Sequence, residues 1–186
     1  MSFRITGLSP APFRHLVGLF DAELQRHGAQ RCAVDSPTGF PDRIELCDCV
    51  PGETVLLLNY MRQPADTPYR ASHAIFVREG ATAPYDAVDV VPTSLQSPLL
   101  SLRAFTAAHG MVDADAIDGA DPGPAIDRLL GDPRVAYVHA ITRSALLRGA
   151  VSNAHEPGRL TETTTLAVAC HCRQGPRVAA VALGRH

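Results

Sequence analysis

The sequence predicts an α+β domain, with a mostly antiparallel sheet of about seven strands and two or three short helices. Several runs alternate apolar and polar residues, which is the period of a half-buried strand. Turn residues separate neighbouring runs, and only two runs repeat apolar residues at helical spacing. The chain has 186 residues, 46% of them hydrophobic, so it is long enough to bury a sizeable core.

The first half of the chain predicts five strands and one helix. The strands are alternating or apolar runs at residues 3–8, 30–34, 43–50, 54–60 and 73–78. Residues 55–60 are apolar on both faces, so we expect that strand in the middle of the sheet. The helix is predicted over residues 13–27, with Asp21 beginning a second part if Gly18 breaks it.

The second half predicts a hairpin, a helix and a final strand. Residues 99–105 and 111–117 alternate on either side of a turn at Gly110, which is typical of a β-hairpin. Residues 122–130 predict a short helix that ends at Gly131, and residues 135–139 predict a strand.

Charge divides the chain near residue 140. Residues 1–140 contain 11 arginines and 17 acidic residues, whereas residues 141–186 contain 6 arginines, 2 acidic residues and neither Phe nor Tyr. Aromatic residues contribute strongly to hydrophobic cores, so their absence from residues 141–186 indicates that this segment is not a continuation of the same core. We therefore predict a domain over residues 1–140 and a divergent tail over residues 141–186.

Composition excludes several chemistries. The sequence has no lysine, which excludes Schiff-base chemistry and the P-loop lysine. It also lacks the glycine-rich dinucleotide motif and the nucleophile elbow, so no cofactor is predicted. The acidic body without tryptophan argues against nucleic acid, and no apolar run approaches the roughly 18 residues of a membrane span. We expect a soluble, cytoplasmic protein.

Four strings of the sequence match a known family in order: residues 59–80, 100–105, 111–115 and 132–139. On these strings, residues 2–140 resemble the bacterial domain-of-unknown-function family 1203. The resemblance implies the fold and a bacterial origin, and it implies no activity.

The sequence departs from that family at two places. Asp42 stands where members often have cysteine, so a cysteine there is not essential in this chain. Members tend to finish with His-Asn-Ala and a short ending soon after the position of His139, whereas this chain continues with Ile141-Thr142-Arg143. Codons for His-Asn-Ala can encode Ile-Thr-Arg when they are read one base late. We hypothesise that residues 141–186 are a frameshifted or recently replaced end. The last strand of the family must then be replaced, for which residues 161–172 have some propensity, or the tail is disordered.

The best candidate site combines histidines and arginines from strand ends. Imidazole titrates near neutral pH, and the arginine fork binds carboxylate or phosphate. We predict a pocket for a small anionic ligand, with His73 and His139 as catalytic acid or base. Predicted ligand-binding residues are Asn59, Tyr60, Arg78, Arg103 and Asp113. The structural alternative is that the histidines are hydrogen-bonded scaffold residues and that Arg103 and Asp113 form a cross-strand ion pair.

Other interpretations of the same residues are weaker. A metal site would use two imidazoles and carboxylates, from the set Asp66, His73, Asp113, Asp115 and His139, but no helical spacing enforces it. Zinc sites usually separate their cysteines by two residues, and the pairs Cys47/Cys49 and Cys170/Cys172 are separated by one. No metal is therefore predicted. The alternative function is a non-catalytic interaction module, with a homodimer formed through an exposed strand edge.

Overall fold

The computed structural model of the protein describes residues 3–96, 99–142 and 168–172. Those residues form two antiparallel sheets and a few short helices, which confirms the α+β class. Within the described ranges there are nine strands, somewhat more than the approximate seven predicted.

The strands are β1 (Phe3–Thr6), β2 (Ala29–Ala33), β3 (Thr54–Gln63), β4 (Ala71–Arg78), β5 (Asp86–Val88), β6 (Leu100–Phe105), β7 (Met111–Ile117), β8 (Tyr137–Thr142) and β9 (Val168–Cys172). The α-helices are α1 (Asp21–Arg26) and α2 (Gly123–Leu130). Two 3-10 helices cover Ala11–Leu16 and Thr93–Leu95.

The larger sheet has six strands in the order β5-β1-β9-β8-β6-β7. The predicted hairpin is confirmed as β6 and β7, which pair directly. One face of the sheet packs on α2 through Leu102, Val138, Ile126 and Leu129, all of which are buried. Ile126 and Leu129 share one side of α2, as the helical spacing predicts. Arg103, Phe105 and His139 alternate with these core residues, so they lie on the opposite face.

The smaller sheet has three strands in the order β2-β3-β4. Its central strand is β3, which confirms the position expected for residues 55–60. Both faces are covered at one end, since Leu56 packs beside α1 and Val55 packs in a cluster with Phe76 and Cys49. The strand therefore needs apolar side chains on both faces there, as its sequence has.

The predicted helix over residues 13–27 is interrupted. A 3-10 helix ends at Leu16 and α1 begins at Asp21, with Gly18 between them at φ +77°. Glycine tolerates this left-handed backbone, so Gly18 is the break that the sequence allowed. Leu16 and Leu24 remain on a common buried cluster.

The predicted strand at residues 43–50 is wrong. This segment is irregular, with isolated bridges and a positive φ of 52° at Leu46. Asp42 accepts the backbone N–H groups of Glu45 and Arg78, and such side-chain bonds compete with a regular ladder. Ile44 lies so close to β1 that a Cβ on Gly7 would come within 1.9 Å of its carbonyl oxygen.

Strand β8 continues to Thr142, two residues past the predicted boundary, and Ile141 is buried. Within the predicted replacement strand at residues 161–172, β9 lies between β1 and β8 and pairs with both. The other residues of the predicted tail lie outside the described ranges, so the division at residue 140 stays a prediction. No helix in the described part of the chain is long and apolar enough to cross a membrane.

Candidate functional site

The two sheets meet where the end of β3 reaches β8. The register of β3 against β4 shifts between Met61 and Gln63, so Arg62 is the extra residue of a β-bulge. Bulges re-aim side chains and are common beside functional sites. Nη1 of Arg62 lies 3.1 Å from Nδ1 of His139. A guanidinium only donates hydrogen bonds, so this imidazole nitrogen accepts and His139 is uncharged in this arrangement.

A second guanidinium lies beside the first. Arg103 in β6 is directly opposite His139 in β8, and side chains at such positions project from the same face. Arg103 is exposed, whereas Arg62 is half-buried. Among the described residues, no carboxylate oxygen lies within 4.0 Å of either guanidinium.

His73 completes the cluster from β4. Its Nε2 is buried and has no hydrogen-bond partner in the described ranges. Burial lowers the pKa of His73, and the positive charges of Arg62 and Arg103 lower it further. Arg62 directly follows Tyr60 and Met61, which pair with His73 and Ser72, so it lies at the same end of the β3–β4 ladder as His73. We call Arg62, His73, Arg103 and His139 the basic cluster.

Arg62 itself is poorly compensated. Burial lowers its pKa to about 10, and the charge of Arg103 acts in the same direction. The Nε atom of Arg62 is buried, again with no partner among the described residues. A buried donor without a partner is costly, so this atom is a natural contact for a ligand acceptor.

A hydrogen-bonded tyrosine borders the basic cluster. Nε2 of Gln63 donates to Oη of Tyr137 over 2.7 Å, and Oη in turn lies 2.7 Å from Nδ1 of His109. The phenol thereby joins Gln63 and His109 in one hydrogen-bonded chain. Burial raises the pKa of Tyr137, which keeps its phenol protonated at neutral pH.

Aromatic rings form the floor of the same region. Phe105 stacks on Tyr137 with ring centroids 5.3 Å apart, and the ring of His139 lies 5.0 Å from each. Tyr69, from the loop between β3 and β4, meets Phe105 edge-on at 6.1 Å. The packing fixes the imidazole plane of His139 and therefore the position of Arg62.

Two predicted residues of β3 project to opposite faces. Tyr60 lies opposite His73 in the register and packs against the ring of Phe13 at 5.6 Å. Asn59 lies on the other face, where it lines a cavity of about 360 Å³ together with Gln30 and Leu57. No charged or titratable side chain lines that cavity, so its chemistry is poorer than that of the basic cluster.

The other two predicted residues have acidic or basic partners elsewhere. Arg78, at the far end of β4, forms ion pairs with Glu45 and with Glu53, the latter at 3.1 Å. Asp113 lies opposite Ala104 rather than Arg103, and it contacts Arg128 of α2 at 3.4 Å. The alternative of an Arg103–Asp113 ion pair is therefore wrong.

The structure separates the residues of the metal alternative. Asp113 and Asp115 pair with Arg128 on the α2 side of the sheet, opposite to the face of His139. Asp66 is exposed in the loop before β4.

One other set among the described residues has ligand atoms within 4.8 Å of each other, namely Asp42, Glu45 and Cys47. Glu45 is already paired with Arg78, and both oxygens of Asp42 accept backbone N–H groups. Both carboxylates of this set therefore already have partners, which favours a structural role.

Sequence reasoning missed four residues of the region: Arg62, Gln63, His109 and Tyr137. Arg62 and Gln63 extend the central strand beyond its apolar run, and alternation alone does not reveal a bulge. His109 was recognised only as part of a turn, and its φ of 64° is uncommon for a residue other than glycine.

The fold and the cluster together define an α+β protein with two antiparallel sheets and a group of cationic side chains where they meet. The chain belongs to the DUF1203 family, described as proteins of unknown function, whose family model matches residues 39–145. That range contains every member of the basic cluster. Comparison with curated proteins and with solved structures gives no match.

Proposed function

We propose that the basic cluster binds a small anionic ligand. The observation that carries this proposal is that Arg62 contacts His139 and Arg103 lies opposite it in the sheet, while neither guanidinium has a carboxylate within 4.0 Å in the described ranges. Guanidinium forks bind carboxylate and phosphate groups through paired hydrogen bonds. An anion would neutralise the charge that these two residues leave uncompensated.

The histidines then have different roles. His139 accepts from Arg62 and is stacked among aromatic rings, so it positions the guanidinium. His73 has a buried nitrogen without a partner among the described residues, which makes it the candidate acid or base. A bound anion opposes the positive charges that lower the pKa of His73, so ligand binding is expected to be accompanied by proton uptake.

Thermal unfolding in the presence of small anions tests the proposal. Sulfate, phosphate and acetate are added at constant ionic strength, and Tm is measured for the wild type and for Arg62→Gln and Arg103→Gln. Anions that bind the folded state raise Tm with concentration. We expect this in the wild type, and a reduced response to sulfate and phosphate in both variants.

Arg134→Gln is the matched control, because Arg134 pairs with Asp132 in an exposed position. It should respond as the wild type does. An unchanged Tm of the wild type with every anion, or equal responses in all four proteins, would contradict the proposal.

We also propose that the protein works in the bacterial cytoplasm. Cys32, Cys47 and Cys49 are free thiols, which is the usual state in a reducing compartment.

The predicted homodimer is a separate proposal, and sedimentation equilibrium tests it.

A further inference from the structure

We propose that the ligand is a dianion, a small molecule that carries two negative charges on oxygen atoms. This inference rests on the proposed function and makes its ligand class specific. Its basis is the number and placement of the cationic groups in the basic cluster.

Four strands place cationic or neutral polar groups at the cluster. Arg62 comes from β3, His73 from β4, Arg103 from β6, and His139 and Tyr137 from β8. The turn after β6 adds His109, which is hydrogen-bonded to Tyr137. None of these groups is an acid that is ionised at neutral pH, so two full positive charges stand together.

Charge matching favours a doubly charged ligand. The charges of Arg62 and Arg103 act on each other and on His73, and the half-buried position of Arg62 weakens solvent screening. A monoanion compensates one of the two guanidiniums. A dianion compensates both.

The hydrogen-bond donors also come from two separate arginines. Arg62 approaches from the smaller sheet, with Nη1 held by His139 and Nε buried without a partner in the described part of the chain. Arg103 belongs to the larger sheet and is exposed to solvent. Two forks from different sheets can each hold oxygen atoms of one tetrahedral group or one end of a dicarboxylate. Both kinds of ligand carry two negative charges.

The experiment compares anions by charge and by shape. Isothermal titration calorimetry of the full chain at pH 7.5 and constant ionic strength uses sulfate, hydrogen phosphate and succinate as dianions, with acetate and nitrate as monoanions. We expect the dianions to bind about tenfold more tightly, which is the effect of one additional charge-assisted contact. Tighter binding of sulfate and phosphate than of succinate would indicate a tetrahedral ligand group. Tighter binding of succinate would indicate a dicarboxylate.

Variants of Arg103 test whether the second charge is the cause. Arg103→Gln should lose about tenfold in sulfate affinity while acetate affinity changes little, so that the preference disappears. Arg103→Lys, which retains the charge, should keep a preference for dianions, and the control Arg134→Gln should match the wild type. Because Arg103 is exposed, these variants are expected to fold.

The failure of this inference differs from the failure of the proposed function. If acetate binds the wild type as tightly as sulfate, and Arg62→Gln abolishes both, the anion site stands and the dianion inference is overturned. A preference for sulfate that survives in Arg103→Gln also overturns it. If no anion binds the wild type, both proposals fail.

Discussion

The two ends of β4 lie among side chains of opposite charge. At one end His73 joins Arg62 and Arg103 in the basic cluster, where no neighbouring carboxylate is found among the described residues. At the other end Arg78 is held between Glu45 and Glu53. We call Asp42, Glu45, Glu53 and Arg78 the acidic cluster. The comparison shows that the fold places two carboxylates at Arg78 and, among the described residues, none within 4.0 Å of Arg62 or Arg103.

Opposite pKa shifts accompany the two clusters. Burial lowers the pKa of His73 and of Arg62 in the basic cluster, and adjacent positive charge adds to the effect. In the acidic cluster, burial raises the pKa of Asp42 and of the neighbouring thiol of Cys47, which nearby carboxylates raise further. The carboxylates of the acidic cluster have arginine or backbone partners, whereas Arg62 and Arg103 have no carboxylate partner among the described residues.

The largest expected effect is the loss of Asp42. Its side chain is fully buried and accepts from the backbone N–H of Glu45 at 2.6 Å and of Arg78 at 2.8 Å. Asp42→Ala leaves both donors unpaired, so we expect a loss of about 3 kcal/mol in the free energy of unfolding. Urea denaturation measures it, with the exposed Asp66→Ala as control. Equal midpoints for the two variants would contradict this account of the acidic cluster.

The next prediction compares one arginine from each cluster. In an anion-free buffer, Arg78→Met leaves Glu45 and Glu53 without their partner and should cost about 1–2 kcal/mol of stability. Arg62→Met removes a poorly solvated cation and one hydrogen bond to His139, so its change should stay within about 1 kcal/mol. Chemical denaturation of both variants checks this. A larger loss for Arg62→Met would mean that its guanidinium is structural.

Arg43 gives a third prediction, at the border of the acidic cluster. It is 1% exposed, and all three guanidinium nitrogens lack a hydrogen-bond partner among the described residues. Burial lowers its pKa to about 10, although Asp42 and Asp48 oppose the shift. The cost of burying a charged group without hydrogen bonds outweighs here the attraction of Asp42 and Asp48, so Arg43→Met should gain about 1 kcal/mol. A lower Tm in calorimetry would show instead that Asp42 and Asp48 depend on this charge.

The smallest expected effect is on the pH dependence of stability. The pKa of His73 in the folded state lies below its ordinary value of 6.5, so the unfolded chain binds more protons just below pH 6.5. Stability from this residue is present above pH 6.5 and is lost as the pH falls through the folded-state pKa. His73→Gln should flatten that part of the profile, and sulfate should do so in the wild type if the basic cluster binds anions. His27→Gln, at an exposed position after α1, is the control for thermal unfolding between pH 5 and 8.

Periodicity predicted the parts of the fold that depend on burial. The central strand, the β6–β7 hairpin and α2 have apolar residues at the spacing that their packing requires. The segment after Asp42 was mistaken for a strand because its apolar residues alternate, although a buried carboxylate organises its backbone. Local hydrogen bonds of this kind are not visible in a hydrophobic pattern.

The candidate site was only partly predictable for a related reason. His73, Arg103 and His139 were chosen as polar groups on predicted strands, and the structure brings them together. Arg62 was missed because it comes from a bulge, which depends on pairing with β4. Arg78 was grouped with them because its acidic partners, Glu45 and Glu53, become neighbours only in the folded chain.

Strand β9 has a consequence for how the molecule reaches this state. Phe3 pairs with Cys172, and β9 also pairs with β8, so a segment made late in synthesis lies in the middle of the larger sheet. Pairings between residues so distant along the chain raise contact order and slow folding. Until β9 arrives, one edge of β1 and one edge of β8 lack their strand partner, and open edges of this kind favour aggregation.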